Sequence, residues 1–226
     1  LERRDFTINA MAYNDTSGLV DEFDGKKDLE CGIIRCVGNT GKRFDEDALR
    51  MLRAVRFSGQ LGFEIEHNTR QAIIDKAENL NKISAERIRV ELTKLLISKD
   101  AGQIREAYNT GMTRVFLPEL DAMMNVDQHN PHHIYTVGEH CIRSVEVMNS
   151  FFGLSSGKWD DSFITDDVRE ITQGLAKQMS KKQHTMLSLT MLLHDIAKPD
   201  VMTVDENGTG HFYGHPGKSE EMARSI

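Results

Sequence analysis

Hydrophobic and polar residues are spaced differently in the first forty residues and in the rest of the chain. Residues 18–21 and 32–37 are short apolar runs bounded by glycine, which predicts two strands. Residues 5–13 carry apolar positions that predict a short amphipathic helix. A Gly-Asn-Thr-Gly segment at 38–41 then breaks both patterns, so we expect a domain boundary there.

After residue 41 the apolar spacing changes to the 3.6-residue period of helices. Helices are expected at residues 45–61, 69–80, 84–97, 101–108, 136–152 and 183–197. A Ser-, Gly- and Asp-rich stretch at 153–167 predicts a loop, and Asn207-Gly208 between two short β-rich runs predicts a hairpin. We therefore expect a mainly α chain in three parts: residues 1–41, 42–122 and 123–226.

Composition argues against a membrane-spanning protein and against a disulfide-bonded scaffold. No run of about 18 apolar residues occurs, so no transmembrane helix and no membrane association are expected. The three cysteines, Cys31, Cys36 and Cys141, form no Cys-x-x-Cys pair and fit free thiols in the reducing cytoplasm. The net charge of −7 means that any nucleic-acid surface must be a local patch. The sequence does not indicate an oligomeric state.

Asp47 and Arg50 stand three residues apart early in a predicted helix, so they would share a face. The ordinary interpretation is an intrahelical ion pair. The alternative is that a carboxylate acceptor beside guanidinium donors reads the Watson–Crick edge of a base. Cytosine and adenine, with an amine beside a ring-nitrogen acceptor, match that pattern, whereas uracil and guanine do not. Arg53 and Arg56 continue this face, as solvated surface or as phosphate contacts.

Four segments, in order, resemble a known family. They are RRDFTINA at residues 3–10, DEFDGKKDL with IRCVG within residues 21–38, RFDEDALRMLRAVRF at residues 43–57 and SAERIRVEL at residues 84–92. Together they resemble motifs of the class II tRNA nucleotidyltransferases, which include the CCA-adding enzymes, and of bacterial poly(A) polymerases. Four ordered motifs are far more specific than any one of them.

The resemblance implies a nucleotide site and its partners. Asp47 and Arg50 would pair with the base of an incoming CTP or ATP, Arg4 and Asp5 would contact its sugar, and tRNA would accept the nucleotide. Residues 1–41 would be the C-terminal part of an α/β nucleotidyltransferase head, and residues 42–122 a helical neck that binds nucleotide and RNA. Glu86, Arg87 and Glu91 would brace the neck helices by ion pairs.

The family's first motif, a Gly-rich turn followed by an Asp-x-Asp pair on a strand, has no counterpart in this sequence. The resemblance places that pair before Leu1, where it would hold the Mg²⁺ ions that activate the primer hydroxyl. We therefore expect the catalytic carboxylates to lie upstream and this chain, assayed alone, not to transfer nucleotides.

A second group of candidate functional residues, histidines and an aspartate, lies in residues 123–226. His194-Asp195 after an apolar run resembles the HD phosphohydrolase superfamily, whose first histidine would correspond to His140. The resemblance implies an α-helical HD domain, truncated at its C-terminus, and a divalent transition metal on His140, His194 and Asp195, with His215 a weaker candidate ligand. His133 and His211 are weaker still, and we expect His129, His132 and His184 at the surface.

Three functions remain open from the sequence. The first is template-independent addition of CMP and AMP to a tRNA 3′ end, which the motifs do not separate from CC-only, A-only or poly(A) addition. The second is hydrolysis of RNA-end or small phosphoesters by the HD part. The third is RNA binding without catalysis.

Overall fold

The computed structural model describes residues 1–129, 134–154 and 165–226. These residues form two compact units, Leu1–Phe116 and Leu117–Ile226. The described part is mostly helical, as expected, and its strands form three two-stranded sheets. None of its helices has the length and apolar character needed to cross a membrane.

The first unit consists of helices with two small sheets. Its helices are α1 Gly25–Cys31, α2 Thr40–Glu46, α3 Leu49–Leu61, α4 His67–Lys76, α5 Ala85–Leu96, α6 Ile104–Asn109 and α7 Thr113–Phe116, with 3-10 turns at Thr7–Asn9, Ala77–Lys82 and Ala101–Gln103. Strands β1 Ala12–Asn14 and β2 Gly18–Val20 pair antiparallel, whereas β3 Ile33–Ile34 and β4 Glu64–Ile65 pair parallel.

The helix expected over residues 5–13 does not form. A single 3-10 turn, Thr7–Asn9, is followed directly by β1. The side chains of Asp5 and Asn9 both accept from the backbone N–H of Phe6, and such local bonds compete with helix formation. The backbone of Thr7 also donates to the carbonyl of Arg35, which ties the segment to the chain near β3.

The helix expected over residues 45–61 is broken in two. α2 ends at Glu46, and Asp47 has extended backbone angles, φ −151° and ψ 99°. The Asp47 carboxylate accepts from the backbone N–H of Leu49 at 3.2 Å, the bond of an N-capping residue. Asp47 therefore precedes α3 instead of lying within a helix.

The core of the first unit forms where α3 packs against α5. Leu49, Leu52 and Ile88 are buried together, with Ile83 and Phe116 against them. On α5 the buried residues Ile88, Leu92 and Leu95 recur every three or four positions, and the helix expected at 84–97 is confirmed within one residue at each end.

The second unit is also helical. Its helices are α8 Pro118–Met124, α9 Val137–Phe151, α10 Asp166–Ala176, α11 Lys181–Leu193, α12 Lys198–Val201 and α13 His215–Ser225. Met123, Val137, Cys141 and Ile196 form its core cluster.

Two local predictions in this unit are confirmed. The side chain of Thr136 accepts from the N–H of Glu139 and so caps α9, which begins where the helix was expected. Strands β5 Thr203–Val204 and β6 Gly210–His211 pair antiparallel around Gly208, whose φ of +81° suits glycine in such a turn. The expected loop at 153–167 lies mostly outside the described residues.

Candidate nucleotide site and histidine cluster

Asp5 is a buried residue of the candidate nucleotide site, which is formed by residues 3–5 and the arginines that contact them. Arg53, on α3, approaches its Oδ2 at 2.6 Å through both Nε and Nη2, and the Asn9 amide donates to its Oδ1 at 2.7 Å. Burial opposes ionisation of this carboxyl, yet the hydrogen bonds from Asn9 and Arg53 outweigh burial and hold the pKa of Asp5 below its ordinary value. Arg53 thereby links the segment around Asp5 to α3.

Two further arginines reach the same segment. Arg43 Nη2 donates to the carbonyl oxygen of Arg4 at 2.7 Å, and Arg50 Nη2 donates to that of Arg3 at 3.3 Å. The side chain of Arg4 is exposed next to buried Asp5. The structure therefore brings Arg4, Asp5, Arg50 and Arg53 together.

Asp47 pairs with Arg87 on α5 instead of Arg50. Arg87 Nη2 lies 2.8 Å from Asp47 Oδ2. Arg50 Nη1 instead lies 3.6 Å from Glu46 Oε2. Asp47 and Arg50 were expected to share a helix face, and this is wrong because the chain is extended at Asp47. The ordinary interpretation, an intrahelical ion pair between them, is not what the structure shows.

A cavity of about 370 Å³ opens beside Asp47. Phe44, Ala48 and Ile83 give it apolar walls. Its charged and polar lining is Asp45, Glu46, Asp47, Asn79, Lys82 and Arg87. This combination of apolar wall and convergent hydrogen-bonding groups is typical of small-molecule sites.

Arg56 is buried instead of solvated. Its Nε and Nη1 donate to Glu91 and Gln60, each at 2.5 Å, and its guanidinium stacks 3.8 Å from the ring centre of Phe57. Burial lowers the pKa of Arg56 from its ordinary value, while Glu91 opposes that shift. A guanidinium so occupied has little surface left for phosphate, so we correct the interpretation of Arg56 to a group that supports α3.

The second unit brings four predicted residues together around one carboxylate. His140 extends from α9, His194 and Asp195 follow α11, and His215 opens α13. Asp195 Oδ2 lies 3.3 Å from His194 Nε2 and 3.9 Å from His140 Nε2, and its Oδ1 lies 3.3 Å from His215 Nε2. The two imidazoles of His140 and His194 approach to 3.3 Å between their Nε2 atoms.

These donor atoms suit a cation. His194 Nδ1 faces the carbonyl of Met191 at 2.9 Å and His215 Nδ1 that of Phe212 at 2.7 Å, so each ring directs Nε2 toward Asp195. Lone pairs this close repel unless a proton or metal ion lies between them. The hydrogen bond with Asp195 raises the pKa of His194, whereas bonds from His194 and Lys198 outweigh burial and lower the pKa of Asp195.

Lys198 is a member of this cluster that the sequence analysis missed. Its buried ammonium lies 2.8 Å from Asp195 Oδ2 and 2.8 Å from the amide oxygen of Gln128. The spacing of three residues from Asp195 was the available signal, since one helical turn places such residues side by side.

The remaining histidines are scattered. His211 pairs with Asp205 on the hairpin and His129 is exposed. His184 is buried and bonds Asn149 at 2.8 Å, so its expected surface position is wrong. His132 and His133 lie outside the described residues.

Comparison with known proteins identifies relatives of the N-terminal half. Residues 1–35 match the poly A polymerase head domain, and residues 62–124 match the probable RNA and SrmB-binding site of polymerase A. The CCA-adding enzyme of Leuconostoc mesenteroides is 52% identical over 118 residues, which are 52% of this chain and 29% of that enzyme. That of Lactiplantibacillus plantarum is 58% identical over 99 residues, 44% of this chain and 24% of that enzyme.

A solved structure resembles nearly the whole chain. The Bacillus stearothermophilus CCA-adding enzyme in complex with CTP aligns with 99% of this chain and 57% of its own length, at 26% identity and a TM-score of 0.52. The matched part therefore spans less than two thirds of these enzymes. This chain is similar to CCA-adding enzymes, and two of its segments match the poly A polymerase head domain and the probable RNA and SrmB-binding site of polymerase A.

Proposed function

We propose that a protein containing this chain is a tRNA nucleotidyltransferase that adds CMP and AMP to the tRNA 3′ end, as in CCA addition, without a nucleic-acid template. The observation that carries the proposal is the docking of residues 3–5 on α3. Arg53 holds Asp5 at 2.6 Å, and Arg50 reaches the carbonyl of Arg3. Groups proposed to contact the sugar and the base of one nucleotide are thereby placed side by side.

Base selection is assigned to Asp47 and Arg50. Asp47 is paired with Arg87 and Arg50 lies near Glu46, and both groups would exchange these protein partners for a base. A carboxylate accepts from the amine of cytosine or adenine, and a guanidinium donates to the adjacent ring nitrogen. Uracil and guanine would present a carbonyl to the carboxylate and are rejected.

The relatives support this assignment of substrate. The curated relatives are named CCA-adding enzymes, and the Bacillus stearothermophilus structure is a complex with CTP. We accordingly propose CTP, ATP and tRNA as partners and the cytoplasm as the location, where Cys31, Cys36 and Cys141 remain free thiols. Poly(A), CC-only and A-only addition are the alternatives within this class of reaction.

Mg²⁺ would polarise the transferred phosphate and activate the primer hydroxyl. The buried carboxylates of residues 1–41 do not fit this ion, because Asp5 is occupied by Arg53 and Asn9, and Asp28 by Arg35 and Thr7. We therefore propose that magnesium is bound by carboxylates other than these buried ones.

Nucleotide binding to this chain tests the proposal. Calorimetry with CTP, ATP, UTP and GTP should show tighter binding of the first two. Asp47→Ala and Arg50→Ala should each remove about 1–3 kcal/mol of discrimination, the value of a specific base contact. Asp75→Ala, an exposed carboxylate on α4, is the matched control. Unchanged selectivity in both site variants would contradict the base-reading role.

The histidine cluster favours a second candidate function, metal-dependent hydrolysis of phosphoesters by the second unit. Three imidazole nitrogens lie between 3.3 and 3.9 Å from the carboxylate oxygens of Asp195, and nitrogen-rich sites favour Mn, Fe, Ni or Zn. His140, His194 and Asp195 would hold the ion, and a bound metal supplies a nucleophilic hydroxide at neutral pH. Lys198 competes with the ion for Asp195 Oδ2.

Metal analysis of the purified chain tests this second function. A bound transition metal that is lost in His194→Ala but retained in His211→Ala, a histidine outside the cluster, supports it. A metal-free chain without phosphatase activity on phosphomonoesters or 2′,3′-cyclic phosphates contradicts it.

A further inference from the structure

One carboxylate oxygen lies between two guanidinium groups at the α2–α3 junction. Glu46 Oε2 accepts a hydrogen bond from Arg43 Nη1, whereas Arg50 Nη1 approaches the same oxygen only to 3.6 Å. The longer distance is beyond hydrogen-bonding range. Arg43 therefore takes the direct interaction with Glu46, and Arg50 is left with a weaker electrostatic one.

Arg43 has a second contact besides the one with Glu46, and its side chain is largely buried. Its Nη2 donates to the carbonyl of Arg4 at 2.7 Å, and only 11% of its side chain is exposed. Arg43 and Glu46 stand three residues apart on α2, a spacing that aligns their side chains. The Arg43 guanidinium on α2 therefore contacts both Glu46 and the backbone of Arg4.

Each of the two guanidinium groups has one buried nitrogen without an acceptor among the described residues, Nε in Arg43, but fewer hydrogen bonds are formed by Arg50. Its Nη1 is buried and, among the described residues, has no hydrogen-bond acceptor, while its Nη2 bond to Arg3 is long at 3.3 Å. A buried donor without an acceptor carries a free-energy penalty that a base acceptor would remove. The group that would read the base is therefore held by fewer contacts than Arg43, and Glu46 forms its direct hydrogen bond with Arg43.

We propose that Arg43 is a positioning residue that occupies Glu46 and so keeps Arg50 available for the incoming base. This inference rests on the proposed base-reading function. Its test must therefore distinguish failure of the Arg43 role from failure of base reading itself. Loss of Arg43 frees Glu46 to form a direct ion pair with Arg50, which turns that guanidinium away from the base and weakens discrimination.

The test measures the ratio of UTP to CTP dissociation constants for this chain and its variants by calorimetry. Arg43→Ala should lower the ratio about fivefold or more, a change the size of one lost base contact. Adding Glu46→Gln to Arg43→Ala should restore most of the ratio, because the amide attracts Arg50 less than the carboxylate does. Arg43→Lys, which retains a cation beside Glu46, should keep the ratio within about twofold.

Two controls distinguish positioning from general damage. Arg70→Ala removes another arginine of the first unit that pairs with a glutamate, Glu106, and should leave the ratio unchanged. Thermal unfolding of each variant checks that it is folded. A purely structural Arg43 would lower affinity for all four nucleotides together, and Glu46→Gln would not restore the ratio.

The outcomes separate the two proposals. If Arg50→Ala lowers the ratio but Arg43→Ala does not, or if the double variant stays as poor as Arg43→Ala, the positioning role is overturned and base reading stands. If the unsubstituted chain does not prefer CTP, or Arg50→Ala leaves the preference intact, base reading itself fails and the role of Arg43 fails with it.

Discussion

Gly25 begins α1 in direct contact with the backbone of Thr7. A Cβ at this position would lie 2.2 Å from the Thr7 carbonyl oxygen, far inside van der Waals contact. Gly25→Ala should therefore lower the free energy of unfolding by about 1–3 kcal/mol, the usual cost of overpacking. Chemical denaturation measures it. Gly41→Ala, where the nearest atom is 3.6 Å away, is the control and should cost far less.

His184 should make the stability of the second unit depend on pH. Its ring stacks 3.7 Å from that of Phe152 and is buried, and burial lowers the pKa of His184 below 6.5. A neutral buried histidine contributes stability that is complete above pH ~6.5 and is lost as the pH falls through the lowered pKa. Denaturation of the chain at pH 7.5 and 5.5 tests this. If His184→Gln shows the same loss of stability on acidification, another group is responsible.

Residue identity alone revealed part of the candidate site. The resemblance of the motifs pointed to Asp47 and Arg50 and that of the histidine pattern to His140, His194 and Asp195, and their roles in binding nucleotide and metal stay predictions. Arg87 as the partner of Asp47 was not predicted, since the two residues are 40 positions apart and meet only when α5 packs beside the α2–α3 junction.

At the scale of elements, a buried ion pair joins α3 to α5. Arg56 and Glu91 are 2.5 Å apart with 8% and 4% of their side chains exposed. Glu91→Ala should destabilise the first unit by about 3–5 kcal/mol, because it leaves a buried guanidinium unpaired. Denaturant unfolding measures this. Glu86 is an exposed glutamate on the same helix, and Glu86→Ala should change the free energy of unfolding by less than about 0.5 kcal/mol. Equal effects of Glu91→Ala and Glu86→Ala would contradict a buried ion pair.

Periodicity predicted the long helices better than their ends. α5 and α9 were located closely because each has a broad apolar face and, for α9, a side-chain cap. The break after Glu46 and the loss of the helix at residues 5–13 followed from side chains that bond to nearby backbone groups. Such bonds depend on one or two residues, so an average over a helical window does not detect them.

At the scale of the whole chain, the net negative charge of −7 comes entirely from the second unit. Residues 1–116 carry 19 basic and 19 acidic residues, whereas residues 117–226 carry 9 basic and 16 acidic ones. Any RNA affinity therefore falls to the first unit, which contains most of the matched RNA-binding segment at residues 62–124.

We accordingly expect this chain to bind tRNA weakly and with strong dependence on salt. Each phosphate contact releases counterions, so the affinity should fall steeply between about 50 and 200 mM salt. Filter binding over a salt series measures the slope. Tight binding that is insensitive to salt would contradict binding through contacts with the RNA phosphates.

The sequence by itself determined the mainly helical character, the hairpin at Gly208, the relationship to nucleotidyltransferases and the residues that form the histidine cluster. The helices and the hairpin follow from local spacing, whereas the relationship to nucleotidyltransferases and the grouping of the histidines were implied by the resemblance to known families. Tertiary structure alone decided that Arg56 is buried, that Lys198 occupies Asp195, and that Asp47 and Arg50 have separate partners. The reason is physical: which charges meet depends on how distant helices pack, and burial then determines whether a charged side chain supports the fold or remains available for a ligand.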